Sequence, residues 1–356
     1  MKILHAADLH LDSPFAGRSA EQADRLKNAM RRIPRQLTAL CREEGCDLVL
    51  LAGDLFDGPW SRDSFRELYT ALEQMQVPVF ISPGNHDHIC NDSPYWSEVW
   101  PENVHIFTRP EMEAVPLPEL NCRIYGAGYR SMDCDALLEG FRAEGEERYH
   151  IAVLHGDPTA VQSPYSPISA DQLRRSGLHY AALGHVHKSG QLRAGQTLCA
   201  WPGCPMGRGF DELDAKGVLI VTLDDAARAE FVALDTPRFF DYETDPGFDA
   251  QSALARLLPA AGDDHFYRVT FTGEAEAPDL DALQQTFSQF PNLQLRDRTM
   301  PLRDIWGSAT EDTLEGMYFS LLKDALEQAD EEQRQILTLA ARISRQLLDG
   351  QEVRLP

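Results

Sequence analysis

The chain has 356 residues, 43% hydrophobic and 25% charged, with a formal net charge of -23. That length suggests two or three domains of roughly 150 residues with ample core. The acidity argues against a broad electrostatic grip on nucleic acid, although carboxylates that hold metals count as negative here while their cations go uncounted. No apolar stretch approaches the ~20 residues needed to span a bilayer, and the segment from Lys2 to His10 lacks the apolar run of a signal peptide. Seven cysteines without a C-x-x-C pair point to a reducing compartment, the cytoplasm, rather than to a disulfide framework.

In chain order, residues 2–7 read as a strand and residues 20–44 as a helix that Pro34 should kink or divide. Asp47 to Ala52 is a strand, apolar from Leu48 on, 62–75 an amphipathic helix, and Val77 to Ser82 a third strand. Further strands are expected at 122–126, 149–154, 179–183, 217–223 and 229–234, with helices near 133–143 and 169–176. This alternation predicts an α/β layered fold. The segment 235–248, rich in Pro, Asp and Gly, reads as a domain boundary. Beyond it, a strand at 267–272, a helix at 279–290 and a strand at 292–297 form a small α+β unit. Residues 311–348 read as two helices broken near Gln328 to Glu332, whose apolar stripes either pack on their own domain or dock a partner's helices. The stretch from Arg25 to Arg42 holds Arg25, Lys27, Arg31, Arg32, Arg35 and Arg42 and no acid. It is either a solvated helix face or a phosphate-contacting surface, with Arg31, Arg32 and Arg35 as the candidate DNA contacts.

Five short segments carry the chemistry: Asp8-Leu9-His10, Gly53-Asp54, Gly84-Asn85-His86-Asp87, His155-Gly156 and Gly184-His185-Val186-His187. Each follows an apolar run, so each is placed at a strand end, where ligands far apart in sequence can converge. Side chains alternate along extended chain, so Asp8 and His10 share a side, as do His185 and His187. Two divalent ions about 3.5–4 Å apart can clamp the attacking and leaving oxygens of a phosphoester. Mixed imidazole and carboxylate donors suit Mn, Fe or Zn better than Ca or Mg. Singly each segment is weak, since a lone His is usually structural; His5, His105, His150, His179 and His265 are read that way. All five in this order point to a dinuclear site.

The set D-x-H, G-D-x-x-D, G-N-H-D, H-G and G-H-x-H resembles that of the calcineurin-like metallophosphoesterases, over Met1 to about Asp235, about two-thirds of the chain. Within that superfamily the opening His5-Ala6-Ala7-Asp8-Leu9-His10-Leu11-Asp12-Ser13-Pro14-Phe15 and the later Trp201-Pro202-Gly203-Cys204-Pro205 leading to Lys216-Gly217-Val218 are similar to the SbcD-type DNA repair exonucleases, most nearly their YhaO-like branch. Gly58-Pro59 after Asp57, and Asp87 in place of a Glu, disfavour the phosphoprotein phosphatases.

The resemblance implies an α/β sandwich of two β-sheets flanked by helices over residues 1–235, a small α+β capping domain over 236–300, and a helical segment over 301–356 that is a candidate for partner docking. It implies that Asp8, His10 and His187 hold one metal and Asn85, His155 and His185 the other, with Asp54 bridging. His86 would contact the phosphate and help the 3′ oxygen leave, with Asp87 orienting its ring. Asp57 reads as a loop-fixing carboxylate and Asp12 as either a supporting group or a turn residue. The implied activity is hydrolysis of DNA ends with Mn²⁺, as a 3′–5′ exonuclease with endonuclease activity a further capacity, by a homodimer working with an SMC-like ATPase and no membrane. A phosphodiesterase or phosphatase for a small substrate would use the same metals, and the acidic balance favours it. A scaffold that has lost catalysis would lack one of these ligands, and none is missing.

Overall fold

A computed structural model describes residues 1–350 apart from 161, 248 and 302–304. The remaining positions of the expected 301–356 segment lie outside the described residues. The chain divides into two units, Met1–Phe239 and the part from Phe240 onward.

The first unit begins with β1 (Lys2–Ala6), α1 (Ala20–Glu44), β2 (Leu48–Leu51), α2 (Arg62–Met75), β3 (Val79–Ile81), α3 (Pro94–Ser97), β4 (Val104–Ile106), β5 (Glu113–Leu117) and β6 (Cys122–Gly126). It continues with β7 (Tyr149–His155), α4 (Ala170–Ser176), β8 (Tyr180–Gly184), β9 (Gly190–Ala194), β10 (Thr197–Trp201), β11 (Gly217–Leu223) and β12 (Ala227–Ala233). Two six-stranded sheets result, ordered β12-β11-β1-β2-β3-β4 and β5-β6-β7-β8-β10-β9. β1 to β4 run parallel, as do β6, β7, β8 and β10, while β11, β12, β5 and β9 add antiparallel edges.

The sheets share a core in which Ile3, Leu48, Leu50, Phe80 and Val221 of the first meet Ile124, Ile151, Val153 and Tyr180 of the second. All four β2 residues are buried. Such a strand is covered on both faces, which is why it reads as an unbroken apolar run rather than an alternation. Sequence and structure agree on α1 to the residue. Ser19 caps it with a capping box and Gly45 ends it in the left-handed conformation. Pro34 does not divide it. Ile33, Pro34 and Leu37 are buried together, and the Thr38 hydroxyl donates to the Pro34 carbonyl at 3.1 Å. Packing thus outweighs the missing N–H.

The helix expected near 133–143 does not form. Gly140 adopts φ 68°, and the segment is pinned to a distant one by Cys134 N–H to the Pro164 carbonyl (2.8 Å) and Ser166 N–H to the Cys134 carbonyl (2.7 Å). Leu138 and Phe141 still join the apolar cluster on the outer face of the second sheet, so the apolar spacing was real but served turns. The short β4, β5, β9 and β10 went unforeseen.

In the second unit β13 (Phe239–Thr244), β14 (Phe266–Phe271) and β15 (Leu293–Asp297) form a three-stranded sheet with α5 (Ala250–Leu257) and α6 (Leu280–Thr286). Its core includes Leu254, Val269, Phe271, Leu283 and Phe290. The helices α7 (Leu314–Gln328) and α8 (Glu331–Leu348) follow. Phe319 and Ala341 are buried, whereas Leu314, Leu321 and Leu347 are 83%, 70% and 62% exposed. Among the described residues no helix is long and apolar enough to cross a membrane.

Candidate metal centre

Each of the five motifs sits where a parallel strand ends. β1 leads into Asp8 and His10, β2 into Asp54, β3 into Asn85 and His86, β7 ends on His155, and β8 leads into His185 and His187. The backbone there is unusual. Asp8, His10 and Asp54 have φ of 53°, 46° and 50°, and His185 has 96°, conformations that cost a non-glycine residue on the order of 1–3 kcal/mol each. Hydrogen bonds hold them: Asp8 N–H to the Gly53 carbonyl (3.0 Å) and His10 N–H to the Asp54 carbonyl (2.9 Å). His185 N–H donates to both Asp8 oxygens, at 3.0 and 3.1 Å.

Two glycines permit this convergence. A Cβ on Gly53 would lie 2.3 Å from His155 Nδ1, and one on Gly184 would lie 1.8 Å from the Ala52 carbonyl oxygen. Gly184 belongs to one sheet and Ala52 follows a strand of the other, so a methyl at 184 forces backbone apart. Gly184→Ala is therefore expected to destabilise the unit by about 1–3 kcal/mol or more and to weaken binding of divalent metal. Thermal unfolding and metal titration check this; wild-type values for both would show that the approach is relaxed cheaply.

The seven residues expected to hold metal come together. His10 Nε2 and His187 Nε2 face each other 3.0 Å apart, and with Asp8 they form a group whose donor atoms all lie within 4.8 Å. His155 Nε2 is 2.9 Å from Asn85 Oδ1, and its ring is 5.2 Å from that of His185. Asp54 Oδ2 lies between the two groups, 3.8 Å from His10 Nε2 and 3.4 Å from His155 Nε2. The tautomers are fixed from behind. His155 Nδ1 is 3.0 Å from the Ala52 carbonyl oxygen, which can only accept, so the proton is on Nδ1 and the Nε2 lone pair is free. Glu212 Oε1, 2.6 Å from His187 Nδ1, does the same for His187.

Asp8 and Asp54 are each 1% exposed. Burial, then the neighbouring Asp54 charge, pushes the Asp8 carboxyl well above its ordinary range. Burial opposes ionisation of Asp54 as well, but His155, His10 and His86 together outweigh it and hold Asp54 below its usual value. Burial lowers His10 and His185 to about 4, so both are neutral and able to donate a lone pair at neutral pH. Buried carboxylates that repel each other, beside neutral imidazoles aimed at common points, fit divalent cations well.

His86 lies at the edge of this set, its ring 4.9 Å from that of His10. Its Nδ1 is 2.8 Å from Asp57 Oδ1, a bond that raises the His86 pKa above its ordinary 6.5. The carboxylate expected to orient that ring, Asp87, is turned the other way. It accepts from the N–H of Leu55 (2.7 Å), Phe56 (3.2 Å) and Gly84 (2.9 Å) and from the Tyr95 hydroxyl (2.5 Å). Unpaired N–H groups in a buried loop are costly, and Asp87 serves them; burial and Asp54 raise its pKa to about 6. Asp57 takes the place expected of Asp87, and its signal was the last position of G-D-x-x-D. Asp57 also accepts from the Ser13 hydroxyl at 2.5 Å and from Arg208 at 3.3 Å. Its Oδ1 is 3.7 Å from His10 Nδ1, too far for a hydrogen bond.

Glu212 and Arg208 escaped the sequence reading. They follow the Trp201-Pro202-Gly203 loop with no recurring spacing of their own. Of the candidate DNA contacts, Arg31 bonds Asp12 (3.3 Å) and the Ser64 hydroxyl (3.1 Å), Arg35 pairs with Glu67 at 2.6 Å, and Arg32 is exposed. Asp12 also accepts the Ser61 N–H at 2.7 Å, so it anchors the start of α2. His5 is a packed core residue between the Tyr180 hydroxyl (2.8 Å) and the Leu183 carbonyl (3.1 Å).

Residues 1–189 match the family described as calcineurin-like phosphoesterase. The chain is similar to the uncharacterized metallophosphoesterase YhaO of Bacillus subtilis (strain 168), 34% identical over 238 residues, which cover 62% of this chain and 57% of that one. It is also similar to the SbcD component of nuclease SbcCD from the same organism, 26% identical over 269 residues, covering 62% of this chain and 66% of that one. The matches thus span less than two thirds of either relative. Among solved structures, a dimetal phosphatase from Danio rerio aligns with a TM-score of 0.42 at 12% identity, covering 64% of this chain and 95% of that one.

Proposed function

Since the chain belongs to the calcineurin-like phosphoesterase family, and so is a metal-dependent phosphoesterase by fold, we propose that it is a dinuclear phosphodiesterase that cuts DNA at its ends. The observation that carries the dinuclear reading is the pair of donor groups on either side of Asp54, one around His10 and His187 and one around Asn85 and His155. In this reading Asp8, His10 and His187 hold one ion, Asn85, His155 and His185 the other, and Asp54 both. Bound there, two Mn²⁺ ions would supply Lewis acidity and an activated water.

The rest is done by the chain. With Nδ1 engaged by Asp57, the Nε2 of His86 is free to touch the phosphate. The raised pKa favours the protonated ring, which can hand a proton to the leaving 3′ oxygen. Asp87 holds the loop that carries His86. Support for DNA as substrate comes from the likeness to the SbcD component of SbcCD, whose name describes a nuclease. That name describes one subunit of a complex, which supports a partner subunit; a homodimer working with an SMC-like ATPase in DNA repair is the assembly that the motif resemblance implies. The exposed apolar residues of α7 and α8, which line a groove of about 800 Å³, suit docking of such a partner. Residues 236–300 are the proposed cap.

A small phosphodiester is the second reading, favoured by the way Asp12 and Glu67 neutralise Arg31 and Arg35 on the basic helix. Purified protein with Mn²⁺ should be given an end-labelled duplex and a panel of nucleotide phosphodiesters side by side. Stepwise shortening of the duplex from its ends is expected; turnover of the small esters alone would replace the nuclease reading with the second one.

A further inference from the structure

Arg208 lies outside every motif, yet it touches the supports of two site imidazoles. Only 25% of its side chain is exposed. Nη1 is 3.3 Å from Asp57 Oδ2, Nη2 is 3.1 Å from Glu212 Oε1, and the Arg208 backbone N–H donates to Glu212 Oε2 at 2.8 Å. Asp57 holds His86 Nδ1 through its other oxygen, at 2.8 Å. Glu212 holds His187 Nδ1 at 2.6 Å. One guanidinium therefore joins two carboxylates, and each carboxylate sets the tautomer and tilt of a different imidazole. Nη2 also approaches His187 Nδ1 at 3.2 Å, but that nitrogen already carries the proton given to Glu212, so the contact is not a second hydrogen bond.

We propose that Arg208 is a positioning residue that locks His86, on the substrate side, to His187, on the metal side, through Asp57 and Glu212. The inference rests on the dinuclear reading given above. Its physical basis is the fork of the guanidinium. Two nitrogens in one rigid plane can serve two acceptors at once, whereas a lysine ammonium on a flexible stem is a point charge. Asp57 and Glu212 lose their common cation when Arg208 is replaced, and the two rings then move independently. Groups that orient metal ligands in this way typically change affinity or rate by about 10–100-fold.

The experiment uses the full chain with Arg208→Gln, Arg208→Lys, Asp57→Asn and the Asp57→Asn/Arg208→Gln pair. Mn²⁺ binding is followed by calorimetry and hydrolysis with bis(p-nitrophenyl) phosphate. For Arg208→Gln the expected result is a kcat about 10–100-fold lower with KM little changed, and about tenfold weaker binding at one of two Mn²⁺ sites. Arg208→Lys keeps the charge and hence the fold, but it should recover only part of the rate. At saturating Mn²⁺, which masks the loss of affinity passed through Glu212 to His187, the double variant should be no slower than Asp57→Asn alone, because Arg208 acts on His86 through Asp57. A KM that rises with kcat preserved would mean that Arg208 touches substrate itself and would overturn the proposal. So would multiplicative losses of kcat in the double variant at saturating Mn²⁺, or full recovery by Lys. The wild type separates the two readings: if it fails to bind two Mn²⁺, the dinuclear reading falls. If it binds two and Arg208→Gln matches it, only the positioning role of Arg208 falls.

Discussion

Replacing Asp54 with Asn is expected to lower kcat at least about a thousandfold, roughly 4 kcal/mol of transition-state stabilisation, and to reduce bound Mn²⁺ below two per chain. Asp54 Oδ2 is the atom placed between His10 Nε2 and His155 Nε2, so its charge serves both proposed ions. Its Oδ1 accepts the His86 N–H at 2.9 Å, and the loop carrying the proposed phosphate contact hangs from the same carboxylate. Asn keeps the size and one acceptor but removes the charge that opposes two cations. Metal content after dialysis and hydrolysis rate are the primary measurements. A third readout is stability, since ions that bind only the folded chain raise its melting temperature by mass action. Mn²⁺ should stabilise the wild type strongly and Asp54→Asn weakly. Two tightly held ions in the variant, with a rate within tenfold of wild type, would remove Asp54 from the bridging position.

His86→Ala is expected to behave differently: Mn²⁺ stoichiometry stays at two while hydrolysis falls about 10²–10⁴-fold, the range for loss of a positioned general acid. The contrast follows from geometry. His86 stands beside His10 with its ring held by Asp57, and its side chain is 40% exposed, which leaves it open to substrate. The donors of the seven proposed ligands converge without it. A fall in metal content in His86→Ala would reassign it as a ligand. An unchanged rate would remove it from the chemistry.

The residues that meet in the centre were legible because each had two independent signals: a ligand-type side chain, and a preceding run of apolar residues that had to be a buried strand. Asp54 illustrates this, following Leu48–Leu51, where all four residues are covered. The orientation of the next layer was not legible. Asp87 is adjacent to His86 in the chain, yet the two lie in a turn, and Asp87 faces the buried N–H groups of Leu55 and Phe56. The carboxylate that reaches His86 is 29 positions away. The partners of the acid-free stretch of α1 were not legible either. Arg31 and Arg35 pair with Asp12 and Glu67, which no window along the helix contains.

The amino-acid order by itself determined the family, the strand ends and the seven side chains that meet there, because those follow from local apolar patterning and from side-chain chemistry that holds in any fold. Only the tertiary structure decided which groups stand behind those donors: Asp57 for His86, Glu212 for His187, the Ala52 carbonyl for His155, and Arg208 between the first two. Hydrogen bonds of this kind act over about 3 Å in space, and chain separation does not predict which groups the packing of two sheets will bring that close.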